Sequence, residues 1–152
     1  MKNYQIYKNL AWLNELPNVE AAAVFRKCCG SREWARRMTE GRPYPLLENL
    51  FAAADNIWFR LSQFDHLEAF AAQPTIVDAP TTSVSKELAE ASRLYEEKFG
   101  FIFVVSASGK EPAEMLAICR ARLGNSVETE LRLAAEEQRK TTETKLNELL
   151  EQ

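Results

Sequence analysis

Apolar positions recur along this chain at intervals of three and four, the spacing that lays one face of an α-helix against a core. Asn18 stands between Pro17 and V-E-A-A-A-V-F-R-K-C-C-G, so its side chain is expected to cap a helix that Gly30 ends. Val24 with Cys28, and Phe25 with Cys29, are each one turn apart and face inward together. Ser31 caps a short helix over R-E-W-A-R-R-M, which the turn G-R-P-Y-P at 41–45 stops. Leu47, Leu50, Phe51, Ala54, Ile57, Trp58 and Leu61 mark a longer helix from Leu46 to near Leu61. Ser62 opens another that ends near Ala72, because Pro74 disfavours helical geometry at Gln73. The stretch T-I-V-D-A-P-T-T-S at 75–83 has no helical period and reads as a loop.

Beyond it, Ser85 starts a helix with Leu88, Ala91, Leu94 and Tyr95 on one face. The apolar run from Phe99 to Val105 fits a buried strand or a buried helical segment equally well by periodicity. Pro112 suits the first turn of a helix through Leu123, ended by Gly124-Asn125. The last segment, Val127 to Leu150, is a charged amphipathic helix whose core stripe includes Leu131, Ala134, Ala135, Gln138 and Leu146. With no internal repeat or linker, residues 1–152 read as a single domain.

Composition narrows the function classes. The 152 residues are 46% hydrophobic, enough for a sizeable core. Nineteen basic against 22 acidic residues give a charge of −3, so no global basic field points to nucleic acid or an anionic membrane. No apolar run approaches the roughly 20 residues that span a bilayer, and the start M-K-N-Y-Q-I-Y-K-N-L lacks the apolar stretch of a signal peptide. A soluble cytoplasmic protein is expected. Three cysteines, Cys28, Cys29 and Cys119, are an odd number without C-x-x-C spacing, and they read as small buried hydrophobes. With His66 as the one histidine, no metal site is expected. His66 itself reads as a surface or capping residue. Trp34 and Trp58 read as core aromatics, and Arg36, Arg37 and Arg42 as a solvated basic face. Gly109-Lys110 lacks the upstream glycine of a phosphate loop.

Five strings come in order along the chain: C-G-S-R-E-W-A-R-R-M-T-E-G-R-P-Y at 29–44, D-H-L-E-A-F-A-A-Q-P-T-I at 65–76, F-G-F-I-F-V-V-S-A-S-G-K at 99–110, C-R-A-R-L-G-N at 119–125 and E-L-R-L-A-A-E-E-Q at 130–138. Together they resemble the 2-oxo-4-hydroxy-4-carboxy-5-ureidoimidazoline (OHCU) decarboxylase family, which acts late in urate breakdown and yields (S)-allantoin. The likeness runs from about Leu13 to Leu150. It implies an all-α fold of about seven or eight helices, and so argues against a sheet at 99–105. It also implies a homodimer with no metal or organic cofactor.

The resemblance further implies where the chemistry lies. The family motif H-P-x-I-G supplies a histidine acid/base, a group that titrates near neutral pH. Here the string is Gln73-Pro74-Thr75-Ile76-Val77. Glutamine hydrogen-bonds but exchanges no proton at useful pH. The family's W-S-x-x-E-Q-x-G segment, whose Glu contacts substrate, is missing: Asp78 leads through A-P-T-T-S-V-S straight into K-E-L-A-E-A-S-R-L-Y. Glu87 belongs to that following helix and is not a replacement carboxylate. Where the family places an Arg for the anionic side of the substrate, this chain has Lys145, which keeps the charge without the planar fork. The run Phe101, Ile102, Phe103, Val104 and Val105 matches the family segment whose backbone faces substrate.

Three functions are therefore expected in turn. The first is a family member with a changed site, binding a small polar ureido- or imidazoline-like anion near Gln73, Pro74, Phe101–Val105 and Lys145, with the family decarboxylation impaired or lost and no catalytic residue assigned. The second is a non-catalytic binding or interaction protein on the same scaffold. The third is a different small-molecule lyase using other residues.

Overall fold

The computed structural model describes residues 2–74 and 82–152. Thr75, Ile76, Val77 and Asp78, and with them most of the loop expected at 75–83, lie outside the described residues. Eight helices, and no strand, form among the described residues. They are α1 (Lys2–Glu15), α2 (Asn18–Cys28), α3 (Arg32–Glu40), α4 (Leu47–Phe59), α5 (Gln63–Ala71), α6 (Ser83–Phe99), α7 (Pro112–Arg122) and α8 (Val127–Glu151). The all-α expectation holds.

The chain divides into two compact units. One comprises Met1–Ala69 with Arg139–Gln152, the other Phe70–Gln138. The first unit centres on Trp34, which is fully buried, meets Phe25 edge-on at 5.9 Å and donates its indole N–H to the carbonyl of Ala54 at 3.1 Å. Leu10, Leu13, Met38, Leu50, Leu146 and Leu150 complete that core. Ser31 caps α3 as its position predicts, accepting from the Trp34 amide at 3.1 Å.

Asn18 is not the cap of α2. Pro17 holds that position and Asn18 is the first helical residue. Its side-chain oxygen instead accepts from Arg42 at 2.9 Å. The helix also stops at Cys28, with Cys29 extended, before Gly30 is reached. Arg42 is correspondingly not a solvated cation. It is half-buried, and one guanidinium nitrogen donates to the carbonyls of Leu13 and Leu16 at 2.8 and 2.7 Å, satisfying groups that the end of α1 leaves open. Arg36 and Arg37 do lie at the surface, each paired with Glu33 and Arg36 also with Glu40. The helix α1 itself has no counterpart among the sequence expectations. Only Leu10 and Leu13 of its apolar residues are buried, while Tyr4, Tyr7 and Trp12 face outward.

In the second unit, α6 begins two residues earlier than expected. Thr82 is the cap and accepts from the Ser85 amide at 3.0 Å, so Ser85 lies inside the first turn. Leu88, Ala91, Tyr95 and Phe99 form the buried stripe. Leu94, expected on that face, is 42% exposed, because it sits one position off the stripe. Gly100 ends the helix at φ +82°, a left-handed conformation that favours glycine. The chain then runs from Phe101 to Ser106 as neither helix nor ladder strand. Phe101, Phe103, Val104 and Val105 are nonetheless buried. Pro112 opens α7 at its first turn as expected.

Candidate functional site

Polar side chains on a core face are the feature that singles out α8. Glu130, Ala134, Gln138, Thr142 and Leu146 recur every four residues and all are buried. Leu131, expected in this stripe, is only half-buried. A carboxylate and an amide placed inside a core must be hydrogen-bonded there, and each has its partners.

Gln138 is 1% exposed, and its Oε1 accepts from Nε2 of Gln73 at 2.5 Å. Gln73 lies two residues beyond the end of α5, with its amide N–H bonded to the carbonyl of Phe70. Its half-buried side chain is thus aimed by a buried neighbour, and Pro74 directly follows. The Q-P step thus follows the end of α5, and the Gln73 amide is bonded to Gln138. Phe70 packs on Phe101 with ring centroids 5.7 Å apart, so the end of α5 lies against the start of the 101–106 run.

That run is held by side chains. The carbonyl of Val104 accepts from Arg122 at 2.8 Å. Ser106 donates its amide N–H to Glu137 at 3.2 Å, and its carbonyl accepts from Lys110 at 2.7 Å. Lys110 thus braces the turn around Gly109, which takes φ +73°. Arg122 in turn bonds Glu130 at 2.7 Å, and Glu130 accepts from Tyr95 at 2.6 Å and Asn125 at 2.8 Å. Burial first, then donation to the Glu130 carboxylate, pushes the Tyr95 phenol up, so it remains a proton-bearing donor. None of Tyr95, Arg122, Glu130 or Glu137 was singled out from the sequence. The one signal available was the pair Glu130 and Gln138, two turns apart at core positions of α8.

Lys145 belongs to the other unit and is half-buried on α8. Its charge acts on the Cys28 and Cys29 thiols, but burial outweighs it and pushes both up to about 11. Those two cysteines and Cys119 are free and buried. Protonated and enclosed, they fit the reading of small apolar residues better than that of nucleophiles. His66 sits on α5 with its ring over Trp58 at 4.1 Å and Nε2 2.8 Å from the Trp58 carbonyl, a packing role. Glu87 is exposed on α6, 3.9 Å from Arg120. Among the described residues no group of three or more His, Cys, Asp or Glu side chains converges as a metal ion requires. No helix of the described residues is long and apolar enough to cross a membrane.

Known proteins are similar to this chain in sequence and fold. The sequence profile of OHCU decarboxylase matches residues 14–85 and 77–147. The uric acid degradation bifunctional protein TTL of Arabidopsis thaliana is 37% identical over 149 residues, covering 82% of this chain and 46% of that protein. The chain thus spans about half the length of that curated relative. A crystal structure of OHCU decarboxylase in the presence of (S)-allantoin is 40% identical, with TM-score 0.79 over 84% of this chain and 97% of the other. A structure of (S)-allantoin synthase, 20% identical, covers 92% of this chain and 53% of the other at TM-score 0.75 and shares the fold. With the profile extending over most of the sequence and the helices superposing on a solved member, the chain belongs to the OHCU decarboxylase family.

Proposed function

We propose that this chain is an OHCU decarboxylase-family protein whose ligand site is kept in part and whose family catalysis is impaired or lost. Residues 1–152 serve as one such domain. The site takes a small polar ureido- or imidazoline-like anion against Gln73, Pro74 and the backbone of Phe101–Val105. Lys145 is assigned the ligand's negative charge on the resemblance alone. The observation that carries this reading is the Gln73–Gln138 pair, 2.5 Å between two amides. It fixes a donor and an acceptor in place, yet neither group exchanges a proton at neutral pH. The family profile also matches in two segments that overlap at 77–85, which supports reading a break in the family pattern there.

A positioned acid/base contributes about 10²–10⁴-fold to proton transfer, so its replacement by Gln73 removes most of the family rate. The purified chain, given freshly generated OHCU, is expected to form allantoin no faster than the uncatalysed reaction within about tenfold. It is expected to bind (S)-allantoin in a calorimetric titration. Rapid allantoin formation with a bell-shaped pH profile refutes the catalytic part, and no binding at millimolar (S)-allantoin refutes the ligand part. The family resemblance supports a cytoplasmic homodimer, which sedimentation equilibrium tests.

A further inference from the structure

The segment from Phe101 to Ser106 has a structural problem that its sequence cannot solve alone. It is largely buried and forms neither helix nor strand, and among the described residues there is no strand for it to pair with. Buried backbone carbonyls and N–H groups must find partners somewhere. At Val104 the partner is a charged side chain. Arg122 is 7% exposed and donates one guanidinium nitrogen to the Val104 carbonyl at 2.8 Å. Its other atoms are fixed as well: Nε bonds Glu130 at 2.7 Å, and the plane lies over the rings of Phe103 and Tyr95 at 5.0 and 5.6 Å. Glu130, with no exposed surface, is held by Tyr95 and Asn125.

A buried ion pair is a poor source of stability, because desolvation offsets most of its attraction. This one supplies geometry. A guanidinium presents several donors in a rigid plane, so its Nε–H addresses Glu130 while a terminal nitrogen addresses Val104. We infer that Arg122, locked by Glu130 and Tyr95, is the positioning residue that sets the backbone of Phe101–Val105 for the ligand. This rests on the reading of that backbone as ligand-facing. Arg122 does not touch the ligand; it acts through the Val104 carbonyl.

Two variants of the full chain separate positioning from charge balance. Arg122→Met with Glu130→Gln removes both charges while leaving an acceptor for Tyr95 and Asn125, so no buried charge is stranded. Arg122→Lys keeps the charge opposite Glu130 but lacks the fork. Three readouts apply to each: the thermal melt, amide hydrogen exchange at 101–106 relative to α6, and the Kd for (S)-allantoin. Both variants are expected to stay folded, to exchange at 101–106 at least about tenfold faster, and to bind (S)-allantoin about tenfold more weakly. If lysine restores wild-type exchange and affinity, Arg122 only balances charge and the inference is overturned. Faster exchange with unchanged affinity overturns it too, as does weaker binding with unchanged exchange. Should the double variant not fold, Arg122→Lys decides. Should wild type bind no (S)-allantoin, the ligand reading falls by itself, and exchange at 101–106 still decides whether Arg122 positions the segment.

Discussion

Replacing Gln73 with histidine asks whether one residue separates this chain from the family chemistry. The structure permits a close estimate. An imidazole Nε2 reaches about as far from the backbone as the amide nitrogen of glutamine, so Nε2–H can donate to the same Gln138 oxygen that now lies 2.5 Å from Gln73 Nε2. That leaves Nδ1 as a base, oriented and half-buried. Its anchor, however, is a neutral amide. A carboxylate anchor both fixes the tautomer and stabilises the imidazolium that forms; losing such a partner has cost about 10⁴-fold in a well-studied triad. A full acid/base contribution of about 10²–10⁴-fold is therefore cut to less than about tenfold, or about 1.4 kcal/mol of barrier. The assay follows formation of optically active allantoin from freshly generated OHCU between about pH 5 and 9, the range that brackets an imidazole titration. A thermal melt run alongside shows that the variant is folded. A gain of 100-fold or more, with a bell-shaped profile, would refute the reasoning and show that a carboxylate partner survives in this chain.

Three further outcomes follow from the first unit. Moving a thiol from 9.0 to about 11 lowers its thiolate fraction at neutral pH about 100-fold. Iodoacetamide should label native Cys28 and Cys29 at least that much more slowly than the unfolded chain, and labelling at the unfolded rate would contradict their enclosure. The sign for stability is set by the same shift: the native thiols stay protonated while unfolded ones ionise, so their contribution is lost as pH rises from about 9 toward 11. Arg42→Ala should cost about 1–3 kcal/mol, because it strips donors from the Leu13 and Leu16 carbonyls at the end of α1. Urea unfolding measures it, and an unchanged midpoint would mean that water serves those carbonyls equally well.

Local signals in the sequence determined much of this protein. Apolar spacing located α2, α4, α6 and α8, while capping serines, prolines and turns, signals that depend only on neighbouring residues, located α3, α5 and α7. Family strings carried the all-α class past the ambiguity at 99–105, where an apolar run has no period to read. The helix α1 escaped because two buried leucines among exposed aromatics make a weak stripe. At Asn18 and Arg42 the expected local roles gave way to a contact between residues 24 apart in sequence. The reading that Gln73 stands at the family's histidine position comes from the sequence string alone. What only the tertiary structure decided is which buried groups answer one another. Gln138 aims Gln73 across 65 residues, and Arg122 with Glu130 holds the Val104 carbonyl. Pattern reading treats a core position as apolar, but a buried amide or ion pair is tolerable only where the fold delivers its partner, and that partner has no fixed distance along the chain.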